Sequence, residues 1–129
     1  YAMSRGGDGR ERSVADRWNE VFRACSAEPR RQLIVSLLAA GPGGTVTLPE
    51  AAMNPRLDVG ADELLLALRH QHLPMLAAQE FVECKLDPMI VTRGPRFPEV
   101  AAVFEALGAT GAELPPELGD GCEWLDAER

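Results

Sequence analysis

The stretch LRHQHLPMLAAQEFVE, residues 68–83, decides how this chain is read. It places two His, an Arg and a Gln ahead of a Pro inside a helical pattern, then turns abruptly to Phe-Val-Glu. Extended backwards, the pattern runs from Ala61 to Gln79. At about 100° per residue, Leu65, Leu68, His72 and Leu76 share one side, and Leu66 and Leu73 flank it. Glu63, Ala67, His70, Gln71 and Pro74 point the other way. A Pro in a helix interior removes a hydrogen bond and crowds the preceding turn. On the convex side it is compatible with a bend. The spacing therefore predicts one bent helix, with a break before Pro74 as the alternative. Phe81–Lys85 and Met89–Thr92 then read as two strands joined through Leu86-Asp87-Pro88.

Upstream, Val14, Trp18, Val21, Phe22 and Cys25 recur at spacings of three and four and predict a helix over Ala15–Cys25. Ser26 as N-cap and Pro29 in the first turn predict a second helix running to Ala40. Leu33, Ile34, Leu37 and Leu38 form its buried face and Gly41 ends it. GPGG is a loop, Thr45–Leu48 a short strand, Pro49–Met53 one or two helical turns, and Asn54–Gly60 a loop. Downstream, Arg93-Gly-Pro-Arg96 forms a basic loop and Pro98–Leu107 a last helix, stopped by Gly108.

The length of 129 residues suits one domain at 14–108, with a disordered arm at 1–13 and an acidic tail at 109–129. With 46% hydrophobic and only 5% aromatic residues, the core is expected to be aliphatic, built from Leu, Val and Ala. No run of about 18 apolar residues exists, so no membrane span is expected. Cys25, Cys84 and Cys122 are odd in number and widely spaced, which favours a reducing, cytoplasmic setting over a disulfide framework. Residues 1–44 carry seven basic against five acidic side chains, residues 45–97 five against seven, and residues 98–129 one against eight. The net charge of −7 thus sits in the last segment. Only Lys85 among the 13 basic residues is Lys, a bias that fits a GC-rich, halophilic source.

The order helix, helix, short strand, short helix, long helix, hairpin, helix resembles a winged helix-turn-helix domain. The segment CSAEPRRQLIVSLLAAG, residues 25–41, resembles the second helix of ArsR-type and related archaeal winged-helix regulators. His72-Leu73-Pro74-Met75-Leu76, followed by Phe81-Val82-Glu83, is similar to the end of the recognition helix and wing entry in small haloarchaeal winged-helix domains of unassigned function. The resemblance covers about Asp16 to Thr92 and implies a mostly α, α+β fold with a two-stranded wing and a C-terminal helix. It also implies a transcription regulator that binds double-stranded DNA as a homodimer. Asp62 and Glu63 depart from the polar or basic start common in such recognition helices.

On that reading Ala67, His70 and Gln71 face base edges, since Gln and His hydrogen-bond to them and Ala meets a thymine methyl. Arg69, Arg56, Arg30 and Arg31 reach phosphates, and Lys85, Arg93 and Arg96 flank the groove from the wing. Trp18, Val21, Phe22, Val100, Val103, Phe104 and Leu107 form the dimer surface, or else simply the core. A protein-interaction module with an acidic tail is the alternative. No GxSxG or HExxH motif occurs, so an enzyme is not expected. His70 and His72 diverge by about 160° on a helix, so they do not share an ion; neither metal nor cofactor is expected. His72 is instead expected half-buried and bonded to backbone, and Cys25 and Cys84 are expected to be small core residues.

Overall fold

The computed structural model describes residues 13–119 and Cys122. Most of the predicted arm and the end of the predicted tail lie outside the described residues. Helix α1 spans Val14–Ala24 and is capped by the Ser13 hydroxyl, which accepts from the Asp16 amide at 3.0 Å. Helix α2 spans Glu28–Ala40. Its N-cap position is Ala27, not Ser26, and no side chain caps it. The Ser26 hydroxyl turns back instead and donates to the Arg23 carbonyl at 2.7 Å. Gly41 ends α2 at φ 82°, a backbone setting that favours glycine.

Strand β1 (Thr45–Thr47) and a 3₁₀ turn (Glu50–Ala52) lead to the longest helical rod. The rod comprises α3 (Ala61–Ala67), a π-helical turn (Leu68–His72) and α4 (Leu73–Ala78). Strands β2 (Val82–Leu86) and β3 (Met89–Arg93) form a hairpin around Asp87-Pro88. Helix α5 spans Phe97–Ala109, and a 3₁₀ turn (Gly111–Glu113) and α6 (Pro116–Gly119) follow it. The start of the predicted tail is thus built of short helical turns.

The sheet is antiparallel in the order β1-β3-β2. Thr45 pairs with Thr92 and Thr47 with Ile90, while Val82 pairs with Arg93 and Leu86 with Met89. This is an α+β fold, mostly helical, with a small three-stranded sheet.

The rod is continuous past Pro74, because the π turn rearranges the backbone immediately before it. The Leu73 amide bonds to the Leu68 carbonyl, five residues back. Such a turn acts as an inserted residue and shifts the helix phase. A regular helix would carry Leu73 about 140° away from Leu68. With the shift, Leu64, Leu68, Leu73 and Leu76 form one buried stripe. The predicted face holds at Leu68, His72 and Leu76 with Leu65 packed at its edge, and is corrected in its flanks: Leu64 joins the core, Leu73 moves inward, and Leu66 is 62% exposed. The rod stops with Glu80 at φ 66°, where Phe81 N–H bonds to Leu76 O and Glu80 N–H to Ala77 O. This is a Schellman stop with Glu in the position glycine usually takes.

The expected aliphatic core is also corrected. Phe81, Phe97 and Phe104 are among its largest buried side chains, packed with Leu33, Ile34, Leu37, Leu68, Leu76 and Val91. Aromatics are few, but a Phe buries so much apolar area that three of them dominate a core this small. Cys25 and Cys84 pack against it, half-buried.

Candidate nucleic-acid interface

The side of the rod turned from the core exposes Asp62, Glu63, Leu66, Arg69, His70, Gln71 and Pro74. His70 and Gln71 lie within the π turn and project to solvent as the wheel predicts; Ala67 is half-buried. The hairpin flanks the rod, and Arg69 reaches the Asp87 carboxylate in its turn at 3.9 Å. Lys85 is exposed on β2. Arg56 is exposed in the loop before α3, where its amide bonds to the Asn54 side chain at 2.9 Å.

Four of the predicted phosphate contacts are corrected, because the fold spends their guanidinium groups internally. Arg30 is 6% exposed and donates to Ala24 O, Arg23 O, Ser26 Oγ and His72 Nδ1. Arg31 is half-buried, on Cys25 O at 2.7 Å and Glu28 at 3.2 Å. Arg93 donates to Leu37 O and Leu38 O, carbonyls in the last turn of α2, and lies 4.8 Å over the Phe97 ring. Arg96 is 8% exposed. It grips Glu20 at 2.7 Å and Glu99 at 2.8 Å and covers the Phe81 ring. That carboxylate pairing raises the affinity of Arg96 for its proton and holds Glu99 below the usual carboxylate range.

His72 is more buried than expected, and among the described residues its hydrogen bond goes to Arg30 rather than to backbone. Its Nδ1 lies 2.8 Å from Arg30 Nη1. An arginine only donates, so Nδ1 is the acceptor and the ring is the neutral Nε2–H tautomer. Burial and the nearby Arg30 charge both hold its pKa below the ordinary imidazole value. Glu28 shows the opposite balance. Burial pushes its carboxyl up, but hydrogen bonds from Gln32 and Asn54 and the Arg31 charge more than offset this and keep it ionised.

The predicted dimer residues divide. Val21, Val100 and Phe104 are buried in the core, and Val21 also lines the groove between α1 and α5. Trp18 and Phe22 are 51% and 57% exposed and lie 5.4 Å apart, ring to ring. Together with Val14, Val103, Ala106 and Leu107 they line an open apolar groove between α1 and α5. An Arg17–Glu99 ion pair crosses its edge. The sequence reading aligned Val14 with Trp18 and Phe22 but left it out of the dimer surface, and it missed the ion pair.

Among the described residues, no three His, Cys, Asp or Glu cluster as metal ligands, and no helix is long and apolar enough to cross a membrane. Comparisons with protein-family models, with curated proteins and with solved structures returned no match.

Proposed function

We propose that the chain is a winged helix-turn-helix regulator that reads duplex DNA with the rod 61–78 and the hairpin 82–93, and does so as a homodimer joined through the α1/α5 groove. The observation that carries this reading is the sheet order β1-β3-β2 beside a rod with a polar outer side, the rod running directly into the hairpin. A winged-helix domain uses this arrangement to lay one helix in the major groove and a hairpin beside it. His70 and Gln71 supply the donors and acceptors that read base edges. Arg56, Arg69 and Lys85 supply phosphate contacts.

With Arg30, Arg31, Arg93 and Arg96 committed inside, few cations remain for phosphates, and Asp58, Asp62 and Glu63 repel them. Base contacts then carry more of the affinity than counterion release. Three phosphate contacts per protomer give a dimer a log-log salt slope of about −5. Selection from a random duplex pool should enrich one palindromic sequence. His70→Ala or Gln71→Ala should weaken dimer binding to it about a hundredfold, as loss of one base contact of roughly 1–3 kcal/mol from each protomer implies, without changing the circular dichroism spectrum. A pool with no enriched sequence would overturn the proposal.

The same acidic start of α3, with Leu66 exposed near the helix's end, favours a second reading, a winged-helix module that binds a protein. Capture of one protein partner that survives nuclease, from a chain that enriches no duplex, selects it.

A further inference from the structure

Arg30 is a buried cation whose acceptors, among the described residues, are all neutral. Nε donates to Ala24 O at 3.2 Å, Nη2 to Arg23 O at 2.9 Å and to Ser26 Oγ at 2.7 Å, and Nη1 to His72 Nδ1 at 2.8 Å. The two carbonyls close the C-terminal end of α1, where the helix dipole gathers partial negative charge. The imidazole belongs to the last residue of the π turn. One guanidinium therefore holds the end of one helix and the phase-setting turn of another, across 42 residues of sequence.

A buried charge needs its acceptors, and a side chain that supplies one is fixed in place by that demand. His72 meets it only while its backbone keeps the ring pointed at Arg30. Were the turn to close into regular α-helix, α4 would rotate by about 100° against α3. Leu73 would leave the core, and His70 and Gln71 would turn with it. Pro74 and the burial of Leu73 permit the π turn; the Arg30 contact selects its position.

We propose that Arg30 and His72 are positioning residues for the rod: their hydrogen bond fixes the π turn and thereby selects which side chains of residues 61–78 face outward. Because the same guanidinium grips α1, which bears Trp18 and Phe22, the outward face is tied mechanically to the groove helix. The consequence for DNA preference rests on the function proposed above; the consequence for the π turn does not.

The test compares His72→Leu, His72→Asn and the double variant Arg30→Met/His72→Leu in the full chain, by amide hydrogen exchange over residues 68–76 and by selection from a random duplex pool. His72→Leu leaves a buried guanidinium short of an acceptor, and the double variant removes that charge, so it reports on phase if the single variant fails to fold. The double variant should exchange the Leu73 amide at least tenfold faster and enrich a different sequence from wild type. His72→Asn, which retains an acceptor where Nδ1 sits, should behave as wild type in both. An unchanged Leu73 amide in the double variant overturns the proposal. So does an altered amide with an unchanged sequence preference, or an Asn variant that matches Leu. If the wild-type chain enriches nothing, the DNA reading falls and the exchange data alone decide the positioning role.

Discussion

At the scale of single residues, arginine explains most of how this domain is held together. Twelve of the 13 basic residues are Arg. Several of them bind backbone carbonyls at helix ends, which Lys does less well because it lacks a planar fork of donors. Arg30 closes α1, Arg93 closes α2, and Arg96 joins α1, the stop after α4 and α5 through Glu20, the Gln79 carbonyl and Glu99. His72 adds a pH dependence. Its folded pKa lies below the ordinary 6.5, first because it is buried and second because Arg30 repels a second positive charge. As pH falls below about 6.5, the unfolded chain binds a proton that the fold rejects, so stability is full above that value and drops until the lower folded pKa is reached. Thermal melts should therefore show Tm decreasing from about pH 7.5 to about pH 5.5, and the Arg30→Met/His72→Leu variant should be flatter across that window. Equal slopes in the two proteins would show that His72 is not the group responsible. The long-range partnerships, of Arg30 with His72, Arg93 with Leu37 and Arg96 with Glu20, were not legible in sequence, since they bridge 42, 56 and 76 residues. An Arg destined for a helix end carries no local mark that separates it from one destined for solvent.

At the scale of elements, the rod shows what a helical wheel captures and what it misses. The pattern correctly gives a helix from Ala61 to about Ala78, an outward His70 and Gln71, and continuity past Pro74. It puts Leu68, His72 and Leu76 on the buried side correctly and Leu65 at the core's edge, but it leaves out Leu64 and sets Leu66 and Leu73 as equal flanks; the π turn brings Leu73 inward. The reassignment can be measured. Leu73 is 2% exposed and Leu66 62%. Leu73→Ala should cost about 2–5 kcal/mol, as truncation of a buried leucine does, whereas Leu66→Ala should stay within about 0.5 kcal/mol. Urea unfolding of the two variants decides between the phases; equal costs would restore the unshifted wheel. Glu80 is a comparable case, since its left-handed backbone ends α4 at a position where sequence rules look for Gly.

At the scale of the whole molecule, the α1/α5 groove is a large apolar feature left open among the described residues. Val14, Trp18 and Phe22 are each more than half exposed on one helix face, and contiguous apolar surface of this kind marks contact sites. A homodimer that uses it should be lost when Phe22→Glu places a charge among those rings, with the monomer fold intact because Phe22 is outside the core. Sedimentation equilibrium at roughly tens of micromolar, a range where a specific dimer is populated, should give a dimer for the wild-type chain and a monomer for the variant. A wild-type monomer at that concentration would remove the groove from the dimer proposal.

By itself the sequence determined the succession of helices and strands, the hairpin after the rod, and a soluble-facing His70 and Gln71, because periodicity, prolines and glycines act over a few residues. The phase of the rod, the engagement of Arg30, Arg31, Arg93 and Arg96 within the fold, and the split of the α1 and α5 side chains between core and groove came from packing. Those outcomes depend on which distant carbonyl, carboxylate or ring arrives within about 3–5 Å of a side chain, and that distance exists only once the chain has closed on itself.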